Sequence, residues 1–355
     1  MAVKHNLTKR HRVITVGPDT KGLGGIASLL STYRKLWSDI TYATSNNRHG
    51  TLPGLFLWLW VMIRIPFYRL RGYDIIHAHG AVGKSFIRKS IILSWGRLFG
   101  FKTIFHSHGG AFRDYAAAVG ESKIKKILHR CEAIVALTAG WQKYFTETME
   151  CPVVRVVNNI VEAPETPVER SLLPEGRPIN FLFLGKVCEN KGVYDILKAL
   201  TIHRDWFEGK IKVTVCGNGE FSTFVSKVKE LALDSMVHYA GCVFGKEKDA
   251  LLRESDVMLL PSYFEGLPIV LLEAGVYAMP SVATDVGGIT ELIENGVNGT
   301  IVKPGDVESL AEAMRSYIDD HNKILSRGRE ARRIVADYSP DAVKDALQRL
   351  YDEID

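Results

Sequence analysis

At 355 residues the chain is too long for one ordinary core and suits two domains of about 150–180 residues each. With 46% hydrophobic and 24% charged residues it has the balance of a globular protein, not of a disordered or fibrous one. The net charge of +5 is a sum of opposites: residues 1–160 carry 23 Lys+Arg and 8 Asp+Glu (+15), residues 161–355 carry 22 and 32 (−10). Only the first half is therefore set to meet a polyanion, either an anionic membrane or a nucleic acid.

Met1–Arg12 is polar and basic and lacks the pattern of a secretory signal peptide. Strands are expected at Val13–Val16, Asp74–His77, Thr103–His106, Ala133–Ala136 and Val153–Val156. After the first of them, Gly22-Leu23-Gly24-Gly25-Ile26 opens a helix; the backbone there could approach a phosphate, and a simple tight turn fits equally well. Leu55–Ile63 is nine apolar residues ending at Arg64, too short to cross a bilayer, which needs roughly 20. Lys84–Arg97 mixes basic and bulky apolar residues at helical spacing, and Lys123, Lys125, Lys126 and Arg130 add a third basic group. A basic surface carrying Trp and Phe points to peripheral docking on an anionic membrane. No recognition-helix or RNA-binding motif supports nucleic acid as the partner.

His77 and His79, then His106 and His108, fall in pairs two apart, which puts each pair on one face of a strand. Taken bare, the four could be a metal site, but no carboxylate follows in a recognisable pattern, and backbone groups are their expected partners. The five cysteines (Cys131, Cys151, Cys188, Cys216, Cys242) are scattered with no ligand or disulfide spacing, so buried, reduced thiols are expected.

Proline-rich, polar residues 162–178 read as the joint between two units. The second half then starts again with strands at Asn180–Leu184, Lys212–Val215, Met236–Tyr239, Val257–Leu260 and Ser281–Ala283, and with amphipathic segments such as Tyr194–Leu200, Phe221–Leu231 and Leu310–Ile318. Strands alternating with helices predict parallel sheets covered on both faces, hence α/β with two Rossmann-like domains. In such sheets ligands bind beyond the carboxyl ends of the strands.

The most specific segment is Pro261-Ser262-Tyr263-Phe264-Glu265-Gly266-Leu267-Pro268-Ile269-Val270-Leu271-Leu272-Glu273-Ala274. A buried strand ends, a loop follows, and Pro268 suits a helix start. Eight residues span about 80° around a helix axis, so Glu265 and Glu273 do not converge on one face. Glu265 is therefore expected in the loop and Glu273 one to two turns into the helix. The N–H groups of Gly266 and Leu267 would then favour a phosphate or sugar oxygen, and the Glu273 carboxylate could accept from both hydroxyls of a ribose. Glu273 precedes an apolar stretch, and a buried carboxylate needs a partner.

This segment resembles the Glu-x7-Glu motif of the retaining family 4 glycosyltransferases. Phe183-Leu184-Gly185-Lys186 with Asn190-Lys191-Gly192 is similar to that family's phosphate-binding pair, although the family usually has Arg where Lys186 stands. Val215-Cys216-Gly217-Asn218-Gly219-Glu220 resembles its Gly-x-Gly turn. Val286–Glu291 and Asn295–Gly299 resemble its later landmarks, Gly24-Gly25-Ile26 its Gly-Gly loop, and Phe105-His106-Ser107-His108-Gly109 its histidine strand.

The resemblance implies the GT-B fold, two Rossmann-like domains facing across a deep interdomain cleft. Residues 1–165 would be an acceptor- and membrane-facing domain, 166–178 a linker, 179–335 the donor-binding domain, and 336–355 a helix returning toward the N-terminal domain. It implies retaining sugar transfer from a nucleotide-diphosphate sugar, a UDP- or GDP-sugar, to a lipid-linked or oligosaccharide acceptor, in surface polysaccharide or glycolipid assembly on the inner, cytoplasmic face of the membrane. His108, Glu265, Lys186 and Lys191 would serve the reaction. Gly24, Gly25, Gly217, Gly219, Val243, Gly266, Leu267 and Glu273 would hold the donor. No cofactor is expected, and the absence of Asp-x-Asp agrees with a metal-independent site. A sugar-nucleotide epimerase of the same fold and a non-catalytic carbohydrate-binding or assembly protein are the rival readings.

Overall fold

The computed structural model describes residues 6–8, 10–22, 24–46, 51–174 and 176–354, with backbone alone for Thr51 and Leu52. Leu23 of the glycine loop, and Met1–His5 and Lys9 of the basic N-terminus, lie outside the described residues. The chain forms two units, Met1–Ile160 with Pro340–Asp355, and Val161–Ser339.

Unit 1 is built on β1 (Val13–Pro18), β2 (Thr41–Asn46), β3 (Ile75–Gly80), β4 (Lys102–Ser107), β5 (Ala133–Ala136) and β6 (Val154–Val156). They form one parallel sheet in the order β2-β1-β3-β4-β5-β6. Helices α1 (Gly25–Leu36), α2 (Thr51–Leu70) and α3 (Lys84–Leu98) are the crossovers between its first four strands. The C-terminal helix Pro340–Glu353 belongs here: Gln348 Nε2 donates to the Leu7 carbonyl at 2.7 Å, the Tyr351 hydroxyl meets His77 Nδ1 at 2.8 Å, and Arg155 pairs with Glu353.

Unit 2 holds β7 (Ile179–Leu184), β8 (Ile211–Cys216), β9 (Val237–Gly241), β10 (Val257–Leu260), β11 (Ser281–Thr284) and β12 (Gly299–Val302). This sheet is also parallel throughout, in the order β12-β11-β10-β7-β8-β9. Its central strands are near-continuous apolar runs because both faces are covered. Phe181, Phe183, Phe207 and Leu259 are fully buried in its core, and each such side chain is worth about 1.5–3 kcal/mol.

The ten expected strands all form. Two more, β2 and β12, complete the sheets as edge strands. Residues 161–174 and 176–178, expected in large part as a linker, are part of unit 2. The Arg170 guanidinium donates to the carbonyls of Leu252, Ser255 and Tyr277, and Arg177 grips both oxygens of Asp256 at 3.1 Å.

Candidate functional site

In unit 2, β10 ends at Leu260 and residues 261–267 form a loop. Pro268, with extended backbone, caps the helix Ile269–Val276. Glu265 therefore lies in the loop and Glu273 in the second turn. The Glu265 side chain is only 10% exposed, and its Oε1 accepts from Lys191 Nζ at 2.5 Å and from Ser262 Oγ at 2.8 Å. Lys191 reaches it from the short 3-10 turn Glu189–Lys191 that follows β7. That turn is tied to the loop: Tyr263 N–H donates to the Asn190 carbonyl at 2.9 Å, and a Cβ on Gly192 would stand 1.9 Å from the Pro261 oxygen. Gly266 and Leu267 are buried, and Gly266 accepts from Gly288 N–H at 2.7 Å.

Glu273 is the more telling carboxylate. Its side chain is 18% exposed, Oε1 accepts from Lys248 Nζ at 2.6 Å, and Oε2 is buried without any hydrogen-bond partner. A bare buried carboxylate oxygen is costly unless a ligand hydroxyl completes it. Lys248 stands on the helix Gly245–Glu254, where its neighbours Lys246 and Glu247 make it look like one more surface charge. Sequence reasoning missed it, because a contact across 25 residues leaves no local pattern.

Lys186 follows β7, is exposed, and has no partner among the described interactions, so its charge is uncommitted. Gly217 and Gly219 have a second reason to be glycine besides ligand approach. Both have positive φ, and added Cβ atoms would stand 1.7 Å from the Gly185 oxygen and 2.3 Å from that of Val187. They let the end of β8 pack against the loop that carries Lys186. Val243 is buried in the turn after β9, beside exposed Cys242 and Phe244.

In unit 1, Gly24 takes φ 114°, ψ 161° just before α1, a conformation that requires glycine, and added Cβ atoms at Gly24 or Gly25 would meet nothing within 4 Å. At the ends of β3 and β4 the four histidines gather into one stack. Ring centroids stand 4.5 Å apart for His77–His79, 4.7 Å for His79–His106 and 4.2 Å for His106–His108. Their bonding partners are chiefly one another and Tyr351, the expected backbone contact being confined to Val157 at His106: His77 Nε2 meets His106 Nδ1 at 3.2 Å, and His79 Nδ1 meets His108 Nε2 at 3.0 Å. His77, His79 and His106 are fully buried, whereas His108 keeps part of its surface open. Burial pushes all four below the ordinary histidine value, His77 to about 3, so they stand as neutral imidazoles. Nitrogens of His77, His79 and His106 lie within 4.8 Å of one another. Among the described residues no carboxylate bonds to these rings, so a dication there would find no counter-charge.

Lys89, counted above with the basic amphipathic face, is instead buried. Its Nζ donates to Ser45 Oγ at 2.7 Å, and burial, with the Arg88 charge adding, lowers it to about 7.

Residues 164–335 match the family described as Glycosyl transferases group 1. The match lies wholly within unit 2. Glycogen synthase of Mycobacterium tuberculosis is 30% identical over 200 residues, covering 56% of this chain and 48% of that protein, so the chain spans about half the length of this relative. The 2-deoxystreptamine N-acetyl-D-glucosaminyltransferase of Niallia circulans is 23% identical over 361 residues, covering 94% and 91%. Among solved structures, sucrose-phosphate synthase from Thermosynechococcus elongatus superposes with a TM-score of 0.79 at 17% identity, covering 97% of this chain and 99% of that one. Anabaena Alr3699/HepE in complex with UDP-glucose gives 0.75 at 17%, covering 96% and 99%. The lipopolysaccharide outer core galactosyltransferase WaaB gives 0.68 at 16%, covering 96% and 99%. The two six-stranded parallel sheets with their flanking helices are those of the GT-B fold.

Proposed function

We propose that the protein is a glycosyltransferase that takes a sugar from a nucleotide-diphosphate donor, a UDP- or GDP-sugar, with retention and without metal. The observation that carries this reading is the Glu273 carboxylate, held on one oxygen by Lys248 and bare on the other. Such a group fits a ribose, whose two hydroxyls can bond to the one carboxylate at about 1.5–3 kcal/mol per charged hydrogen bond. HepE crystallised with UDP-glucose supports a nucleotide sugar as the ligand class.

In this reading the bond from the anomeric carbon to the diphosphate oxygen breaks, and its electron pair leaves with the nucleoside diphosphate. The acceptor oxygen bonds to the same face of that carbon, and its proton passes to the departing diphosphate oxygen. Lys186, Lys191 and the N–H groups around Gly266 and Leu267 offset the charge that gathers on the diphosphate. Glu265 holds sugar hydroxyls. Gly217, Gly219 and Val243 border the base, Gly24 and Gly25 open the start of α1 to an oxyanion, and His108 faces the reacting sugar.

The acceptor is proposed to be a lipid-linked saccharide or an oligosaccharide, met at the inner face of a membrane in surface polysaccharide or glycolipid assembly. The WaaB likeness supports that direction. So does the outer face of unit 1. Trp58 Nε1 donates to the Arg88 carbonyl of α3, and Trp95 Nε1 to the Met62 carbonyl of α2, tying the two helices into one surface. Phe56 (76%), Trp60, Ile63, Phe67 and Leu70 (85%) of α2, and Ile87, Ile91, Trp95 and Leu98 of α3, are exposed on it. Residues 51–98 contain seven Lys and Arg, all but Lys89 outside the core, and one acid, Asp74. No helix among the described residues is long and apolar enough to cross a membrane, and an apolar plane rimmed by cations suits the interface of an anionic bilayer.

The test is thermal shift of the purified chain with UDP, GDP, ADP, CDP and dTDP in EDTA. A ligand at 100 times its Kd adds about 2.7 kcal/mol. One nucleotide should stabilise the wild type and leave Glu273→Ala unmoved. A shift with none of the five would remove the donor site and favour a non-catalytic assembly protein. Conversion of the donor sugar with no acceptor present would favour the epimerase.

A further inference from the structure

β3 and β4 run in register, so His79 stands opposite His106. His108 lies one step beyond β4, where its backbone N–H donates to the Gly80 carbonyl at 2.8 Å and continues the ladder. His106 and His108 therefore point to one face, and their rings stack. Behind them His79 is fully buried, with the Tyr33 ring edge-on at 6.0 Å and the Lys89 side chain packed beside Gly80. Its Nδ1 bonds to His108 Nε2 at 3.0 Å, and its Nε2 has no partner at all.

One hydrogen bond between two neutral imidazoles allows two arrangements. If His108 donates from Nε2, then His79 carries its proton on Nε2, which buries an N–H with no acceptor. If His79 donates from Nδ1, its Nε2 is a bare lone pair and His108 carries its proton on Nδ1. An orphaned buried N–H is the rarer and costlier defect. A second proton on His79, which would remove the choice, is opposed chiefly by burial.

We propose that His79 is a positioning residue that holds His108 as the neutral Nδ1–H tautomer, so that His108 offers a hydrogen-bond donor and not a base. Imidazole in water favours the other tautomer, so the arrangement is imposed by the stack. The oxygen that such a donor suits is a sugar hydroxyl or one gathering negative charge. The tautomer follows from unit 1 alone; its value to sugar transfer rests on the reading of His108 given above.

Histidine-labelled ¹⁵N protein, full chain, distinguishes the tautomers by long-range ¹H–¹⁵N spectra at pH 7, with His108 assigned by its loss in His108→Gln. The wild type should show His108 protonated on Nδ1. His79→Phe should return His108 to the Nε2–H form and lower kcat by about tenfold with the donor KM unchanged. His79→Gln, whose side-chain amide can donate to His108 Nε2, should restore both the Nδ1–H form and kcat. An Nε2–H form in the wild type overturns the proposal, and that spectrum needs no variant to fold. An Nδ1–H form that survives in His79→Phe overturns it as well. If the tautomer changes in His79→Phe but sugar transfer keeps its rate, the positioning stands and the role of His108 in transfer falls.

Discussion

Lys248 Nζ holds Glu273 Oε1 at 2.6 Å and leaves Oε2 buried and bare. The lysine fixes the carboxylate while the free oxygen awaits a donor. Glu273→Gln should retain the fold, and the lost charge should weaken nucleotide binding by about 10- to 100-fold. Lys248→Met frees the carboxylate to move, so its loss should be smaller, about tenfold, and should appear in Kd before kcat. Isothermal titration with the nucleotide found by thermal shift measures both. Equal affinity in Glu273→Gln and wild type would detach this residue from the ribose.

Lys191 is already spent on Glu265, at 2.5 Å, whereas exposed Lys186 has no partner. The two cations should therefore respond differently. Lys186→Ala removes an uncommitted charge and should raise the donor KM by about tenfold. Lys191→Ala also strips a nearly buried carboxylate of its cation, leaving Glu265 unpaired beside the diphosphate, and should cost at least about 100-fold in kcat/KM. In a double-mutant cycle, Lys191→Met with Glu265→Gln should lose less than the sum of the two single changes. Strict additivity would show that the pair does not act together.

The Glu265–Glu273 segment could be read from sequence because its information is local: a strand, a loop, a proline and a helix in immediate succession. The central strands were legible for the same reason, as runs such as Val257–Leu260 that are buried on both faces. The edges were not. Thr41-Tyr-Ala-Thr-Ser-Asn in β2 is polar and half-buried, and β12 is four residues after a glycine turn, so neither carries a parallel strand's apolar signature. Long-range partners were equally silent. Tyr351 meets His77 across 274 residues, and Lys89 looks like any basic residue on an amphipathic helix until Ser45 and Asn46 are seen around it.

The pocket around Lys89 makes a pH-dependent prediction. It is formed by Ser45, Asn46 and Gly80, with the charge of Arg88 acting on it and His79 nearby. With its folded value lowered to about 7 from an unfolded value near 10.4, the folded state binds fewer protons between those limits. Stability is therefore lost as pH falls from about 10 to about 7. Lys89→Met removes that penalty and one hydrogen bond to Ser45, worth about 1 kcal/mol. The variant should melt above wild type at pH 6.5 and at or below it at pH 10. The reverse order of melting temperatures would mean that Lys89 is charged and well compensated.

The histidine stack predicts acid sensitivity with the same logic. Each imidazole is neutral when folded and takes up a proton on unfolding below its unfolded value near 6.5. The unfolded chain then binds more protons, so stability falls as pH drops from about 6.5 toward about 3, the folded value of His77. Between pH 7.5 and 5.5 each such histidine costs about 1.4 kcal/mol. His77→Gln keeps a partner for the Tyr351 hydroxyl and should flatten the urea-derived stability curve by about that amount. An unchanged slope would show that His77 is already protonated in the fold.

Membrane docking should depend on the apolar plane more than on charge alone. Of the third basic group, Lys125 is tied to Glu150 at 2.7 Å, so its charge is partly offset. On α2 and α3, by contrast, the exposed side chains include Phe56, Trp60, Phe67 and Trp95 beside Arg64, whose guanidinium lies over the Trp60 and Tyr68 rings. Phe56→Ser with Phe67→Ser removes two exposed aromatic rings and no core packing. Vesicles containing anionic lipid should sediment the wild type, less so at high salt, where charges separated by more than a Debye length of about 10 Å at 0.1 M are screened. The double variant should lose at least about tenfold in partitioning while its melting temperature stays put. Loss with salt but none with the two serines would assign docking to the cations alone. Equal sedimentation with neutral vesicles would leave the basic rim without a part in it.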